Sequence, residues 1–150
     1  MSTSVSANWV QVRKRIELAC LAVGRSPEAV KLLAVSKTKS AEAMREAHAA
    51  GQIAFGENYI QEGVDKIAAL ADLPLEWHCI GPIQSNKTKL VAENFAWVHS
   101  IDRLKIAERL SAQRPPNLPP LQVCLQVNVD GGSNKSGVSP HELLALAQAV

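Results

Sequence analysis

The sequence predicts an α/β fold built on parallel strands, and three observations carry that reading. Helical apolar patterns alternate with short apolar runs, the ends of the five runs fall 20 to 28 residues apart, and Gly, Pro, Ser and Asn punctuate the intervals. Such a period is too long for hairpins and suits a crossover helix between neighbouring parallel strands. Two architectures use it, an open doubly wound sheet and a (β/α)8 TIM-type barrel. The fifth strand favours the barrel, because Gln122, Cys124, Gln126 and Asn128 alternate there with Leu121, Val123, Leu125, Val127 and Val129. Amides under a roof of helices are costly, whereas the inward face of a barrel near its mouth meets ligand and water.

The elements follow in order. Trp9, Val12, Ile16, Ala19, Cys20 and Val23 recur at helical spacing and stop at Gly24. Lys31 to Lys37 is the first strand, its Leu32-Leu33-Ala34-Val35 centre short enough for a buried one. Ser40 caps a helix ending at Gly51, Ile53 to Gly56 is the second strand, and Tyr59, Ile60, Val64, Ile67 and Ala68 mark the next helix face. Glu76 to Ile80 is strand three, Asn86 to Asn94 a helix, and Trp97 to Ile101 strand four; Asp102 then caps a helix over Leu104, Ala107 and Leu110. The proline-rich run from Arg114 to Pro120 is a loop. Leu121 to Val129 is strand five, followed by a Gly/Ser-rich loop and a helix from Pro140.

Length and composition bound the answer. With 150 residues, 47% of them hydrophobic and 20% charged, the chain reads as one globular domain. A full barrel needs ~200 to 250 residues, so the chain is expected to hold only the N-terminal five strands of one. Sixteen basic against 14 acidic residues leave +2, too weak a field for a nucleic-acid binder. Cys20, Cys79 and Cys124 form no CxxC pair, which fits buried thiols in a reducing compartment and neither a disulfide framework nor a zinc site. There is no apolar run long enough for a membrane span, and Met1 to Ala7 lacks the pattern of a secretory leader; the expectation is a cytoplasmic protein.

Lys37 is the chief candidate for chemistry. It ends an apolar strand, and α/β folds gather their ligands at the C-terminal ends of parallel strands. Partial desolvation there and the like charge of Lys39 both favour the neutral, nucleophilic amine, which suits a Schiff base with a carbonyl ligand. The alternative is a lysine that snorkels from a strand end into water.

Five strings occur in order: Leu33-Ala34-Val35-Ser36-Lys37-Thr38-Lys39, Phe55-Gly56-Glu57-Asn58-Tyr59, the run from Trp77 through His78, Gly81, Pro82 and Asn86 to Lys87, Val127-Asn128-Val129, and Lys135-Ser136-Gly137. Together they resemble the pyridoxal-phosphate homeostasis proteins, whose fold is similar to the N-terminal barrel of alanine racemase. The resemblance implies pyridoxal 5'-phosphate (PLP) bound as an aldimine at Lys37 and a role in keeping the cofactor available, without an established catalytic reaction. PLP-dependent apoenzymes are the recipients it implies, and neither nucleic acid nor membrane is a partner. It also implies that the family continues past position 150 with the last strands of the barrel, where such folds hold a phosphate. This chain is therefore expected to form a weak, exchangeable aldimine.

Asn58 and His78 stand at or near the ends of strands two and three and are expected to face the same mouth as Lys37, hydrogen-bonding the cofactor. Asn128 is the polar candidate from strand five, and Lys135 a second amine from the loop beyond it. For His78 a satisfied core histidine, and for Lys135 a loop lysine, are the competing readings. Asp130 to Gly137 lacks the GxxxxGK[ST] spacing of a P-loop, since Asn134 stands where glycine is needed. Related proteins often carry acidic residues around Gly132 and Ser133, so this loop departs from the pattern. Two other functions compete: a PLP-dependent racemase, which needs a second acid/base group that Tyr59 is poorly placed to supply, and a phosphometabolite-binding barrel without a Schiff base.

Overall fold

The computed structural model describes residues 4–150, so part of the leader reading, residues 1–3, lies outside the described residues. Helices α1 (Val5–Ala22), α2 (Ala41–Ala50), α3 (Ile60–Ala69), α4 (Thr88–Asn94), α5 (Leu104–Gln113) and α6 (Leu143–Ala149) alternate with strands β1 (Ala34–Val35), β2 (Ala54–Glu57), β3 (Glu76–Cys79), β4 (Trp97–Ile101) and β5 (Gln122–Leu125) after α1. All the strand pairs are parallel and the strands lie in sequence order, β1 to β5, as the first five strands of a barrel do. No doubly wound reversal of strand order occurs among them.

Side-chain alternation divides the sheet into two faces. Phe55, Trp77, Cys79 and Val98 point outward into a core closed by Met44, Leu70, Val91, Phe95, Ile106 and Leu110 from the helices. Burial in that core holds the Cys79 thiol up at about 11, well above its ordinary 9.0, so it stays an unreactive thiol. The opposite, inner face carries Val35, Gly56, His78 and Trp97, which are successive register partners.

The helix ends obey local rules. Ser4 and Ser40 cap α1 and α2 by accepting the amides of Ala7 and Ala43 at 3.1 Å each. Gly24, at φ +68°, ends α1 while the amides of Gly24 and Arg25 return to the carbonyls of Leu21 and Cys20. Buried Gln52 then ties three segments together. Its Oε1 accepts the Trp9 indole N–H at 2.7 Å, and its Nε2 donates to the carbonyls of Leu32 and Ala54 at 2.7 and 2.6 Å.

Three boundaries differ from the sequence reading. The first strand is short because a side chain, Gln52, takes the Leu32 carbonyl and no strand flanks β1 on its outer edge. Strand five stops at Leu125, since the chain beyond it turns onto its own following loop: Val127 bridges Val138, and the Asn128 amide donates to the Val138 carbonyl at 2.8 Å. Asn128 therefore lies in a loop and not on a strand face. Asp102 is not a helix cap. Arg103 holds the cap position of α5, while Asp102 Oδ2 accepts the Gly137 amide at 3.0 Å, a long-range demand that outcompetes the local one.

Candidate functional site

The C-terminal ends of β1, β2 and β3 form a rim. Lys37 lies two residues beyond Val35 and Asn58 two beyond Gly56; because Val35 and Gly56 are register partners, both residues leave the sheet at the same end, from neighbouring strands. Beneath them Leu33 and Ile80 meet across Gly56, where a Cβ would lie 3.0 Å from Ile80 Cδ1 and 3.4 Å from Leu33 Cδ2. Gly81 fits closely against the Asn58 backbone: a Cβ there would stand 2.2 Å from the Asn58 carbonyl oxygen. Ser100 donates to the Gly81 carbonyl at 2.7 Å, so the ends of β2, β3 and β4 are stitched together.

Lys37 is exposed, and its amine has no hydrogen-bond or ion-pair partner among the described residues. The desolvation expected from the sequence is thus not supplied by this five-stranded sheet, whose inner face is open at Val35, 53% exposed. The backbone around Lys37 is, by contrast, tightly held. The Lys39 amide closes a turn onto the Ser36 carbonyl at 3.0 Å, with Thr38 at φ +63° inside it. A β-branched residue in that region costs about 1–3 kcal/mol and persists only where its surroundings enforce it. Glu62 supplies one restraint, accepting the Thr38 amide at 3.0 and 2.9 Å through its two oxygens. Lys66 supplies another, donating to the Ser36 carbonyl at 2.7 Å and to Glu57 Oε1 at 2.7 Å, with Glu62 Oε2 at 3.4 Å. Ser36 Oγ adds a 2.9 Å bond to Glu57, whose side chain is wholly buried.

His78 lies lower on the same face, in a polar chain. His78 Nε2 is 2.6 Å from Glu76 Oε1 and its Nδ1 is 2.8 Å from His99 Nε2. A carboxylate only accepts, so neutral His78 donates from Nε2 to Glu76 and accepts at Nδ1 from His99 Nε2–H. Lys31 also pairs with Glu76, and Trp97 stacks on the His78 ring at 5.5 Å with planes 3° apart. Burial holds the imidazoles of both His78 and His99 below the ordinary value; for His78 this outweighs the opposing pull of Glu76. Burial, the largest single influence on Glu76, pushes its carboxyl up, but Lys31 and His78 together outweigh it and hold it below its usual range.

The last two sequence candidates are engaged within their own loop. Asn128 Nδ2 donates to the Gly132 carbonyl at 2.9 Å and its Oδ1 accepts the Gly131 amide at 3.1 Å. Lys135 pairs with Asp130 at the surface. Of the five candidates, Lys37 and Asn58, which follow the neighbouring strands β1 and β2, are the two whose side-chain polar groups are unengaged among the described residues. His78, Asn128 and Lys135 already have partners.

Sequence reasoning missed Glu57, Glu62, Lys66, His99 and Ser100. Two of them carried a signal: Glu57 is a carboxylate in an apolar strand run, and Lys66 sits between apolar positions of α3, four residues after Glu62.

Comparison with known proteins supports this architecture. The profile of the family "Alanine racemase, N-terminal domain" matches residues 5–150. The chain belongs to that family. It is 65% identical over 150 residues to a protein of Pseudomonas aeruginosa named pyridoxal phosphate homeostasis protein, covering 100% of this chain and 65% of the relative. A protein of the same name from Escherichia coli K12 is 56% identical over 149 residues, covering 97% of this chain and 64% of the relative. The resemblance read from the five strings thus extends over the whole chain, which spans about two thirds of these relatives' length. Among solved structures, PipY of Synechococcus elongatus with PLP bound superposes with a TM-score of 0.72 at 41% identity, over 90% of this chain and 65% of that one. Alanine racemase of Corynebacterium glutamicum, at 18% identity and a TM-score of 0.65 over 97% of this chain and 39% of that one, shares the fold. No helix among the described residues is long and apolar enough to cross a membrane.

Proposed function

We propose that the protein binds PLP through a Schiff base on Lys37 and serves in PLP homeostasis, delivering the cofactor to PLP-dependent apoenzymes in the cytoplasm. The observation that carries this reading is an unengaged primary amine on a fixed backbone at the strand ends of a fold whose relative PipY was solved with PLP bound. The residues fit the aldehyde end of the group. An exposed amine reaches a carbonyl without breaking an ion pair, and the neighbouring Asn58 offers an amide that both donates and accepts, suited to a ring hydroxyl. PLP, when bound, supplies an electrophilic carbonyl and an electron-withdrawing ring. The protein's part is to present the amine, orient the ring and leave the linkage exchangeable. His78 acts from beneath, holding Trp97 and His99 in place, and Asn128 and Lys135 contribute at the far side of the mouth once ligand displaces their loop contacts.

The test is incubation with PLP, borohydride reduction and peptide mapping by mass. The expected result is a pyridoxyl group on Lys37 that disappears in Lys37→Ala; adduct confined to other lysines, or undiminished in the variant, rejects the assignment. Replacing PLP by pyridoxal separates the two ends of the ligand: equal labelling of Lys37 by both means that these residues hold the aldehyde end alone, and tighter capture of PLP means that they also hold the phosphate.

A further inference from the structure

We propose that Glu57, Glu62 and Lys66 are positioning residues, a clamp from β2 and α3 with a buried centre that fixes the direction in which Lys37 presents its amine. The inference rests on the reading of Lys37 as the carbonyl-capturing residue and assigns a function to three side chains that touch neither that amine nor any ligand. Two peptide groups flank the Lys37 Cα, and the clamp grips both. On one side, the Ser36 carbonyl accepts Lys66 Nζ at 2.7 Å. On the other, the Thr38 amide donates to both oxygens of Glu62, at 3.0 and 2.9 Å, while Thr38 Oγ1 donates to the Lys37 carbonyl at 2.6 Å. Glu57 holds the centre, accepting from Lys66 at 2.7 Å and from Ser36 Oγ at 2.9 Å.

The arrangement is ill suited to stability alone. Apolar side chains of similar volume commonly replace a buried ion pair without loss, because desolvation cancels most of the attraction. Here the second oxygen of Glu57 is buried without a partner among the described residues, and Thr38 is kept at φ +63°, a conformation natural to glycine. Polar groups that cost this much, and whose bonds converge on the two peptides around one residue, account for the direction of that residue's Cα–Cβ bond. A fixed Cα–Cβ direction narrows the volume that the four-carbon stem can sweep with the amine, and small misplacements of a reacting group cost large factors in rate.

The test uses the complete protein and compares adduct on Lys37 with adduct on Lys39, an exposed amine two residues away and an internal reference for general lysine reactivity. Brief PLP exposure followed by borohydride should label Lys37 in preference. Glu62→Ala, which removes the partly exposed anchor of Thr38, should lower the Lys37-to-Lys39 ratio about tenfold while the melting curve stays cooperative. Glu62→Gln, which keeps an acceptor for the Thr38 amide, should retain most of the ratio. Thr38→Gly added to Glu62→Ala should restore part of it, since glycine adopts positive φ unaided. A ratio in Glu62→Ala equal to wild type overturns the proposal, and so does failure of Thr38→Gly to restore any of it. If Glu62→Ala does not fold, amide hydrogen exchange in the wild type decides: a slowly exchanging Thr38 amide supports the clamp and a freely exchanging one overturns it. Absence of any pyridoxyl group on wild-type Lys37 rejects the Schiff-base reading instead, and the same exchange measurement still decides whether the backbone is clamped.

Discussion

Two loops at the same end of the sheet carry the lysines that the sequence put forward, Lys37 first and Lys135 second, and they are built in opposite ways. The turn after β1 bears an unengaged Lys37 on a backbone fixed by charged side chains of other elements, the buried Lys66 and the partly exposed Glu62. The loop after β5 bears a Lys135 that is engaged, on a backbone held by its own residues: Asn128 to Gly131 and Gly132, and Asp130 to Gly132 and Lys135. Its long-range ties are the Asp102 carboxylate on Gly137 and the Val127–Val138 bridge. Precision in presenting a reactive group comes from bonds to rigid elements, whereas a locally satisfied loop spends its polar groups on closing itself.

Removing the buried cation should break this contrast most severely. Lys66→Met leaves wholly buried Glu57 without its counter-charge and is expected to lower the unfolding free energy measured in guanidinium by about 3–5 kcal/mol. A cost below that of an exposed pair would mean that the charges are not buried in solution. Gly81→Ala is expected to cost about 1–3 kcal/mol, since the new Cβ meets backbone at Asn58 and neither can yield cheaply. Thermal melting reads it, and a shift in the Asn58 amide resonance should accompany the loss.

Acid should act first on the histidines beneath Lys37, and only at lower pH on the Asp130 carboxylate that Lys135 holds below its usual range in the outer loop. His78 and His99 are held below the ordinary 6.5 in the folded chain, so the unfolded chain binds more protons as pH falls through 6.5 and stability falls with it. Glu76, held below 4.5, contributes stability that is lost in turn as pH falls below 4.5. Melting temperatures measured downward from pH 7 should therefore decline, and His99→Gln should flatten the upper part of that decline; an unchanged slope would remove the histidine pair from the explanation. Asp102→Ala frees one loop amide and is expected to cost about 1 kcal/mol, with faster exchange at Gly137. Smallest of all, Lys135→Ala breaks an exposed pair and should change stability by less than about 0.5 kcal/mol.

The order and type of the elements were legible because each depends on local rules: helical spacing that ends at Gly24 and Gly51, apolar runs at 34–35, 54–57 and 97–101, and a loop forced by the prolines between Arg114 and Pro120. The placement of Lys37 at the C-terminal side of the first strand was legible for the same reason, although the strand ends at Val35 and Lys37 stands in the turn beyond it. Which side chains were already engaged was not. Asp102 looked like a cap and bonds instead to Gly137, 35 residues away; His78 read as either a cofactor contact or a satisfied histidine, and it is held by Glu76 and His99. The sequence by itself determined the alternation of helix and strand, the parallel sheet and the strand-end lysine, since periodicity and turn chemistry are short-range properties. Only the tertiary structure decided that Lys66, a lysine between apolar helix positions, would be buried against Glu57 in particular and grip the Ser36 carbonyl, because the partner of a charge is fixed by which strands and helices come to lie side by side.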